Sequence, residues 1–294
     1  MNLKEYLAAR VQAVDAALER WVPAETVPPQ TIHRAMRYSL FAGGKRIRPV
    51  LCIGAAEAVA TANNGIEDAA CTLEMIHTYS LIHDDLPALD NDDLRRGRPT
   101  NHVVFGDAMA ILAGDSLLTL AFEVLSKLPH ANDAVKASLI KELATASGTV
   151  GGMIGGQVHD IEGERQTPTA ALLESIHRAK TGALLRASVR MGAIYAGASH
   201  DQLAALSSYG EHTGLAFQIV DDILDVEQSS ETLGKTAGKD QAQQKITFPA
   251  VYGLDQSKRM AEQERQAAHD ALTPFGDSAA PLRELADFIV NRNA

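Results

Sequence analysis

Six aspartates stand in two groups whose flanks are otherwise apolar. Asp84, Asp85 and Asp90 follow Tyr79–His83, and Asp221, Asp222 and Asp225 follow Phe217–Val220. Carboxylates are almost never buried unless paired or bound to a cation. Two such groups, far apart in the chain, suggest two walls of one cation site. Residues four apart share a helix face. Asp221 with Asp225, and Gln218 with Asp222, are such pairs, with Phe217 one turn below Asp221. Like charges at this spacing destabilise an isolated helix, and a divalent ion reverses that sign. An all-oxygen ligand set suits Mg²⁺, Mn²⁺ or Ca²⁺ rather than Zn²⁺. One such string alone commonly marks a solvated acidic face; two, with apolar flanks and cations nearby, point to a site.

The cations are there, although the chain carries a net charge of -10. Gly43–Pro49 places Lys45, Arg46 and Arg48 at a helix start, where free N–H groups already attract anions. Arg95, Arg96 and Arg98 follow the first acid group. Lys180, Thr181 and Gly182 interrupt a helical pattern, and Lys235, Lys239 and Lys245 lie in the segment 228–246 after the second group. Such a mixture suits a polyphosphate. A metal ion bridges acid to phosphate, while Arg and Lys contact phosphate oxygens directly.

The segment Leu81–Gly97 resembles the first aspartate-rich motif of the trans-prenyltransferases, the polyprenyl synthetase family, and Phe217–Asp225 resembles the second. Gly43–Pro49 resembles their GGKRxRP segment and Lys180–Gly182 their KTG. Matching segments run from about residue 30 to the C-terminus. The four residues between Asp85 and Asp90 resemble the spacer of the bacterial farnesyl diphosphate synthase branch.

The resemblance implies a cluster of three Mg²⁺ held, directly or through water, by Asp84, Asp85, Asp90, Asp221, Asp222 and Asp225. An allylic diphosphate would sit on that cluster, contacted by Arg95, Lys180, Lys235 and Lys245. Lys45, Arg48, His77 and Arg96 would hold isopentenyl diphosphate. Thr181 and Gln218 would turn dipoles toward the allylic cation; His83 is left as structural. The implied reaction extends dimethylallyl and geranyl diphosphate to farnesyl diphosphate by ionisation, condensation and proton loss. Asp84, Asp90, Asp221, Lys180, Thr181 and Gln218 stand nearest the chemistry. The resemblance also implies a homodimer and an all-α fold of ten or more helices around a central cavity.

Product length turns on residues before the first acid group. Ser80 and Ile76 lie one and two turns below Asp84, at about 5.4 Å per turn. Tyr79 lies off that line. The family associates an aromatic there with short products, which implies a stop at fifteen carbons. Two departures pull the other way. Lys245–Pro249 reads KITFP rather than KSTYP, and Leu233–Asp240, like Asn91–Asp93 with Pro99–His102, resembles geranylgeranyl diphosphate synthases. A longer-product synthase therefore stays open. So does a non-catalytic partner subunit that binds prenyl diphosphates, although such a subunit needs no intact acid groups. A terpene cyclase would not need the second diphosphate site implied by Lys45, Arg48 and Arg96.

The elements that must hold these groups are helical. The chain has 294 residues, 46% hydrophobic and 5% aromatic, and its Ala- and Leu-rich composition favours helix over sheet. No Pro/Gly/Ser-rich linker divides it, so one domain over residues 1–294 is expected. The acidic balance argues against a nucleic-acid partner. No signal-peptide stretch follows the charged Lys4, Glu5 and Arg10, and no run of about 18 uncharged apolar residues predicts a membrane span. Cys52 and Cys71 lie in apolar context and read as buried free thiols, which favours a cytoplasmic protein.

Apolar spacing predicts helices over 3–20, 30–42, 49–60, 66–85, 107–128, 133–150, 152–161, 169–197, 201–228, 247–270 and 279–292. Pro87 would clash with the carbonyl of His83, so the chain must leave the helix within the first acid group. Residues 91–106 read as a polar surface loop. Gly151, Gly152, Gly155 and Gly156 have no preceding strand and read as a smooth face for close helix packing. The segment 228–246 and the chain near Arg292 are candidate lids.

Overall fold

The computed structural model describes residues 2–163, 169–227 and 246–292. The first helix, α1 (Leu3–Trp21), opens on Asn2, whose side chain accepts the Lys4 N–H and so satisfies one of the free donors of a helix start. Next come α2 (Gln30–Leu40), α3 (Ile47–Val59) and α4 (Ile66–Asp84). Both α3 and α4 are buried on nearly every face, the signature of helices in the centre of a bundle. Against them pack α6 (Asp107–Ser126) and α10 (Ala183–Tyr195), and against α10 in turn pack α7 (Asp133–Ser147) and α11 (His200–Glu227). The fold is all-α, and most of the buried apolar side chains among the described residues gather in three clusters.

Three stretches differ from the sequence expectation. Residues 91–106 are not a plain loop. Leu94–Arg95 and Arg98–Pro99 form an antiparallel ladder, β1 and β2, and Asn101–Phe105 forms a short helix, α5. The turn between the strands has Arg96 and Gly97 at φ of 54° and 71°, the positive pair that two-residue hairpins require. Asn101 pins α5 to α2 by donating to the Ala35 carbonyl and the Ser39 hydroxyl, both at 2.8 Å.

The predicted helix 169–197 is three pieces. These are α9 (Ala170–His177), a π-helical turn (Arg178–Gly182) and α10. The predicted helix 247–270 is broken at Gly253, whose φ is 80°, into α12 (Phe248–Tyr252) and α13 (Leu254–Ala271). A 3₁₀ segment (Thr273–Ala279) then leads into α14 (Ala280–Asn291).

The glycine-rich helix α8 (Met153–Gly163) packs as its composition predicts. A Cβ on Gly156 would lie 2.1 Å from the Lys180 backbone nitrogen, so the smooth face lets α8 lie directly against the π turn. Among the described residues α6 is long and apolar enough, by length and composition, to cross a membrane. It carries Asp107, Asp115 and Glu123, so the expectation of no run of about 18 uncharged apolar residues stands. One side of α6 is core (Ala113, Leu117, Ala121), while Ile111 and Leu112 face outward.

Arg46 departs from the cationic cluster assigned to it. It takes a left-handed backbone (φ 49°) at the start of α3, and its guanidinium turns inward. It bonds Glu74 at 2.8 Å, Asp15 at 3.0 Å and the Leu40 carbonyl at 2.8 Å. Arg46 and Glu74 are both buried. Removing one partner strands the other charge, so Arg46→Met should lower the unfolding free energy by about 3–5 kcal/mol. Arg46→Met with Glu74→Leu should recover most of it. An unchanged denaturation midpoint in the single variant would show that the pair anchors nothing.

Candidate active site

Helix α4 delivers the first acid group at its C-terminal end. Beyond Asp84 the chain curls back on itself. The Asp90 N–H donates to the Asp84 carbonyl at 2.8 Å, Asn91 to Leu86 at 3.1 Å and Asp92 to Asp85 at 3.1 Å. The four-residue spacer thus returns Asp90 to the helix end rather than carrying it away. Arg95, set by the hairpin, forks onto Asp85 with contacts of 2.6 and 2.8 Å. Burial pushes the Asp84 carboxyl up to about 6; Lys180 opposes this and Asp90 adds to it. Burial also raises Asp85, against the pull of Arg95.

A cavity of about 440 Å³ opens beside this helix end, a size usual for small-ligand sites. Asp84, Lys180, Thr181, Arg48 and His77 border it, with Tyr79, Ser80 and His83 along α4. Leu118 of α6 and Met153, Ile154, Gln157 and Val158 of α8 make the opposite wall. Tyr79 is buried and its hydroxyl has no hydrogen-bond partner. The Ser80 hydroxyl donates to the His77 carbonyl at 2.9 Å. Ile76 is fully buried in the core and does not border the cavity, which corrects its placement among the chain-length residues. Two turns of helix carry it past the cavity into the packing between helices. His83, left as structural in the sequence, also borders the cavity, and its Nε2 lies 3.0 Å from the Ile111 carbonyl.

The cationic turn before α3 meets the same cavity through Arg48. Burial and Arg48 hold His77 well below the ordinary histidine range, so it is neutral at pH 7. Lys45 is likewise lowered by burial and by Arg292, with Asp221 opposing. Arg96 reaches back from the hairpin and its Nη1 donates to the Gly43 carbonyl. A Cβ on Gly44 would press on that guanidinium at 2.9 Å, so glycine is what lets the two cationic segments touch.

The second acid group lies along α11. Asp221 meets Arg292 at 2.6 Å, and the Arg292 guanidinium sits 3.8 Å over the Phe217 ring. Asp221 acts on Lys45 and Arg48, and Arg48 borders the cavity with Asp84. The second acid group is thereby joined to the first through the cations between them. Asp222 and Asp225 are buried, and the Asp222 Oδ2 accepts the Phe248 N–H at 2.9 Å. Gln218 Nε2 lies 2.8 Å from His177 Nδ1, so its amide is engaged by a side chain the sequence did not single out. Burial lowers His177 to about 4, with Asp160 opposing and Lys180 adding. Lys180 bonds Asp160 of α8 at 2.6 Å. Lys235, Lys239 and Lys245 lie outside the described residues, as does nearly all of the candidate lid 228–246.

The donor chemistry suits a hard dication. The aspartate groups are all-oxygen, and the Asp84 and Asp85 carboxyls, raised chiefly by burial with neighbouring aspartates adding, carry charge that a cation would stabilise. Among the described residues no three acidic, histidine or cysteine side chains gather tightly enough to hold an ion alone. Mg²⁺ itself takes one or two carboxylates and completes its shell with water and substrate phosphate.

His177, Asp160 and the α8 wall escaped the sequence reading. His177 and Asp160 sit three residues before Lys180 and on a glycine-rich helix, with no charge cluster of their own to mark them.

Comparison with known proteins gives one answer. The model of the polyprenyl synthetase family matches residues 29–275. The large subunit 1 of a heterodimeric geranylgeranyl pyrophosphate synthase of Arabidopsis thaliana is 49% identical, over 99% of this chain and 80% of that protein. A dimethylallyltranstransferase of Fischerella ambigua is 47% identical over 99% of this chain and 84% of its own. Among solved structures, a geranyltransferase of Legionella pneumophila superposes with a TM-score of 0.88 at 37% identity, covering 99% of this chain and 97% of that one. An FPP/GFPP synthase of Zymomonas mobilis superposes at 0.87 and 36%, over 98% and 99%. The chain, a prenyltransferase by this kinship, belongs to the polyprenyl synthetase family.

Proposed function

We propose that this prenyltransferase condenses isopentenyl diphosphate with dimethylallyl and then geranyl diphosphate, releasing farnesyl diphosphate. The observation that carries the reading is the cavity itself. Asp84, Lys180 and Thr181 stand beside Arg48 and His77 around one apolar chamber. Asp84, Asp85, Asp90, Asp221, Asp222 and Asp225 would hold Mg²⁺, which when bound supplies Lewis-acid stabilisation of the leaving diphosphate. Lys180 and Arg95 add fixed positive charge on the same side. Arg48, Lys45, Arg96 and the neutral His77 orient isopentenyl diphosphate. Thr181 and Gln218 offer oxygen dipoles to the allylic cation. Leu118, Met153 and Val158 exclude water that would quench it. The isopentenyl double bond attacks, and the departing diphosphate takes the proton.

Tyr79 supports the fifteen-carbon product, because its ring walls the cavity where a growing chain would extend. The names of the relatives support a second reading, a geranylgeranyl diphosphate synthase. We also infer a single domain and a homodimer. Outward apolar side chains on α6 and α8, among them Ile111, Leu112 and Ile161, support the dimer. Cytoplasmic residence rests on the buried free thiols Cys52 and Cys71.

Purified protein with both five-carbon substrates should make farnesyl diphosphate with Mg²⁺ and nothing with a chelator, read by mass spectrometry. Asp84→Ala or Asp221→Ala should lower turnover about a thousandfold, close to 4 kcal/mol of barrier, with the circular dichroism spectrum kept. Near-normal turnover in either variant would sink the metal assignment. Tyr79→Ala should lengthen the product by five carbons or more; an unchanged product would remove the wall role.

Asp84 also makes stability pH-dependent. Its carboxyl sits near 6 when folded and near 3.9 unfolded, so the folded state binds the proton more tightly. Metal-free protein therefore loses stability as pH rises from about 4 to 6. Asp84→Asn should be more stable than wild type at pH 7 by about 3 kcal/mol, the gap closing near pH 4. A pH-independent gap in melting scans would contradict the burial of that charge.

A further inference from the structure

His177 is the last residue of α9, directly before the π turn that carries Lys180 and Thr181. Its ring is buried and touches the second acid group twice. Nδ1 lies 2.8 Å from Gln218 Nε2, and Nε2 lies 3.5 Å from Asp222 Oδ2. Gln218 and Asp222 are one turn apart on α11, so a single ring spans the pair. The Phe248 ring stacks on it at 5.2 Å and 27°, while the Phe248 N–H donates to the same Asp222 oxygen at 2.9 Å.

These contacts select one tautomer. With the Gln218 amide donating to Nδ1, a neutral imidazole carries its proton on Nε2, aimed at Asp222. The reverse arrangement would set the Nε2 lone pair against a buried carboxylate and cost a hydrogen bond. The Nε2–Asp222 separation is long for a hydrogen bond, and Nε2 is buried with no hydrogen-bond partner among the described residues, so the approach of ring to carboxylate is electrostatic. The peptide of Phe248 and the ring of His177 thus approach one carboxylate oxygen from two different segments.

We propose that His177 is a positioning residue for the second acid group, fixing the Asp222 carboxylate and the Gln218 amide in register with the π turn. This rests on the reading of that group as a Mg²⁺–diphosphate site. Groups that orient metal ligands typically alter metal affinity by about 10–100-fold when removed. His177 touches Gln218 and Asp222 and directly precedes the turn that carries Lys180, groups assigned under that reading to the allylic diphosphate, so its loss should act on that substrate.

The test compares His177→Phe, which keeps the stacking and removes both polar contacts, with His177→Gln, whose amide reaches the place of Nε2. The readout is the calorimetric Kd of inorganic diphosphate at saturating Mg²⁺, with the KM of each substrate measured alongside. His177→Phe should fold and bind diphosphate at least about tenfold more weakly. His177→Gln should recover most of the loss, and KM should rise for geranyl diphosphate but not for isopentenyl diphosphate. Unchanged diphosphate affinity in folded His177→Phe overturns the proposal. So does equal weakening by Phe and Gln, or an equal rise in both KM values, since each marks a packing role. If His177→Phe gives no cooperative melt, His177→Met carries the same comparison with Gln. Wild-type protein that binds no diphosphate with Mg²⁺ overturns the proposed function itself, a failure distinct from that of His177.

Discussion

Like charge held at the inner ends of two helices is the constraint on which this structure turns. At 4 Å, two carboxylates in an interior of effective dielectric about 20 repel by about 4 kcal/mol. Burial accounts for the larger part of the rise of Asp84 to about 6, with Asp90 and Asp85 adding to it and Lys180 and Arg95 opposing. The protein meets it with fixed cations rather than by dispersing the acids. Arg95 forks onto Asp85, Arg292 closes on Asp221, and Lys180 faces Asp84 while bonded to Asp160. The same guanidinium and ammonium groups that offset the acids in the folded chain are those a diphosphate would engage.

The scaffold supplies these cations through close approaches of backbone. Gly156 lets α8 lie on the π turn, and Gly44 lets the Arg96 guanidinium reach the turn before α3. Arg46 serves the same end from below. By spending its charge on Glu74 and Asp15, it fixes the left-handed residue from which Lys45 and Arg48 depart on either side. Of three consecutive-looking cations, the middle one is an anchor and the outer two face the site.

Much of this was legible in the chain. The helical periods, the acid groups and the KTG break are local patterns, and local patterns survive folding. The turn after Asp84 followed from Pro87 alone. Three kinds of feature were not legible. The hairpin at Arg96 and Gly97 depends on a non-glycine residue taking positive φ, which composition does not announce. The inward turn of Arg46 depends on Glu74, 28 residues away. His177 and Asp160 act through the neighbours that tertiary packing gives them, and neither carries a spacing signal. Ile76 shows the reverse error: helical periodicity placed it below Asp84, but it is the shape of the cavity, set by α6 and α8, that decides which turns of α4 line it.

The π turn at Arg178–Gly182 has a consequence of counting. A π turn holds one residue more than the α-helix it interrupts, and one residue is worth about 100° of rotation. Helices α9 and α10 therefore run along one line but out of phase. His177 faces the second acid group from one side of that phase break, while Leu184, Leu185 and Val189 face the core from the other. Loss of any single residue from the turn would leave composition, helicity and charge almost untouched. It would nonetheless restore one unbroken α-helical phase and swing α9 about 100° away from the orientation in which His177 meets Asp222. At this point in the chain, arithmetic constrains the sequence as tightly as chemistry does.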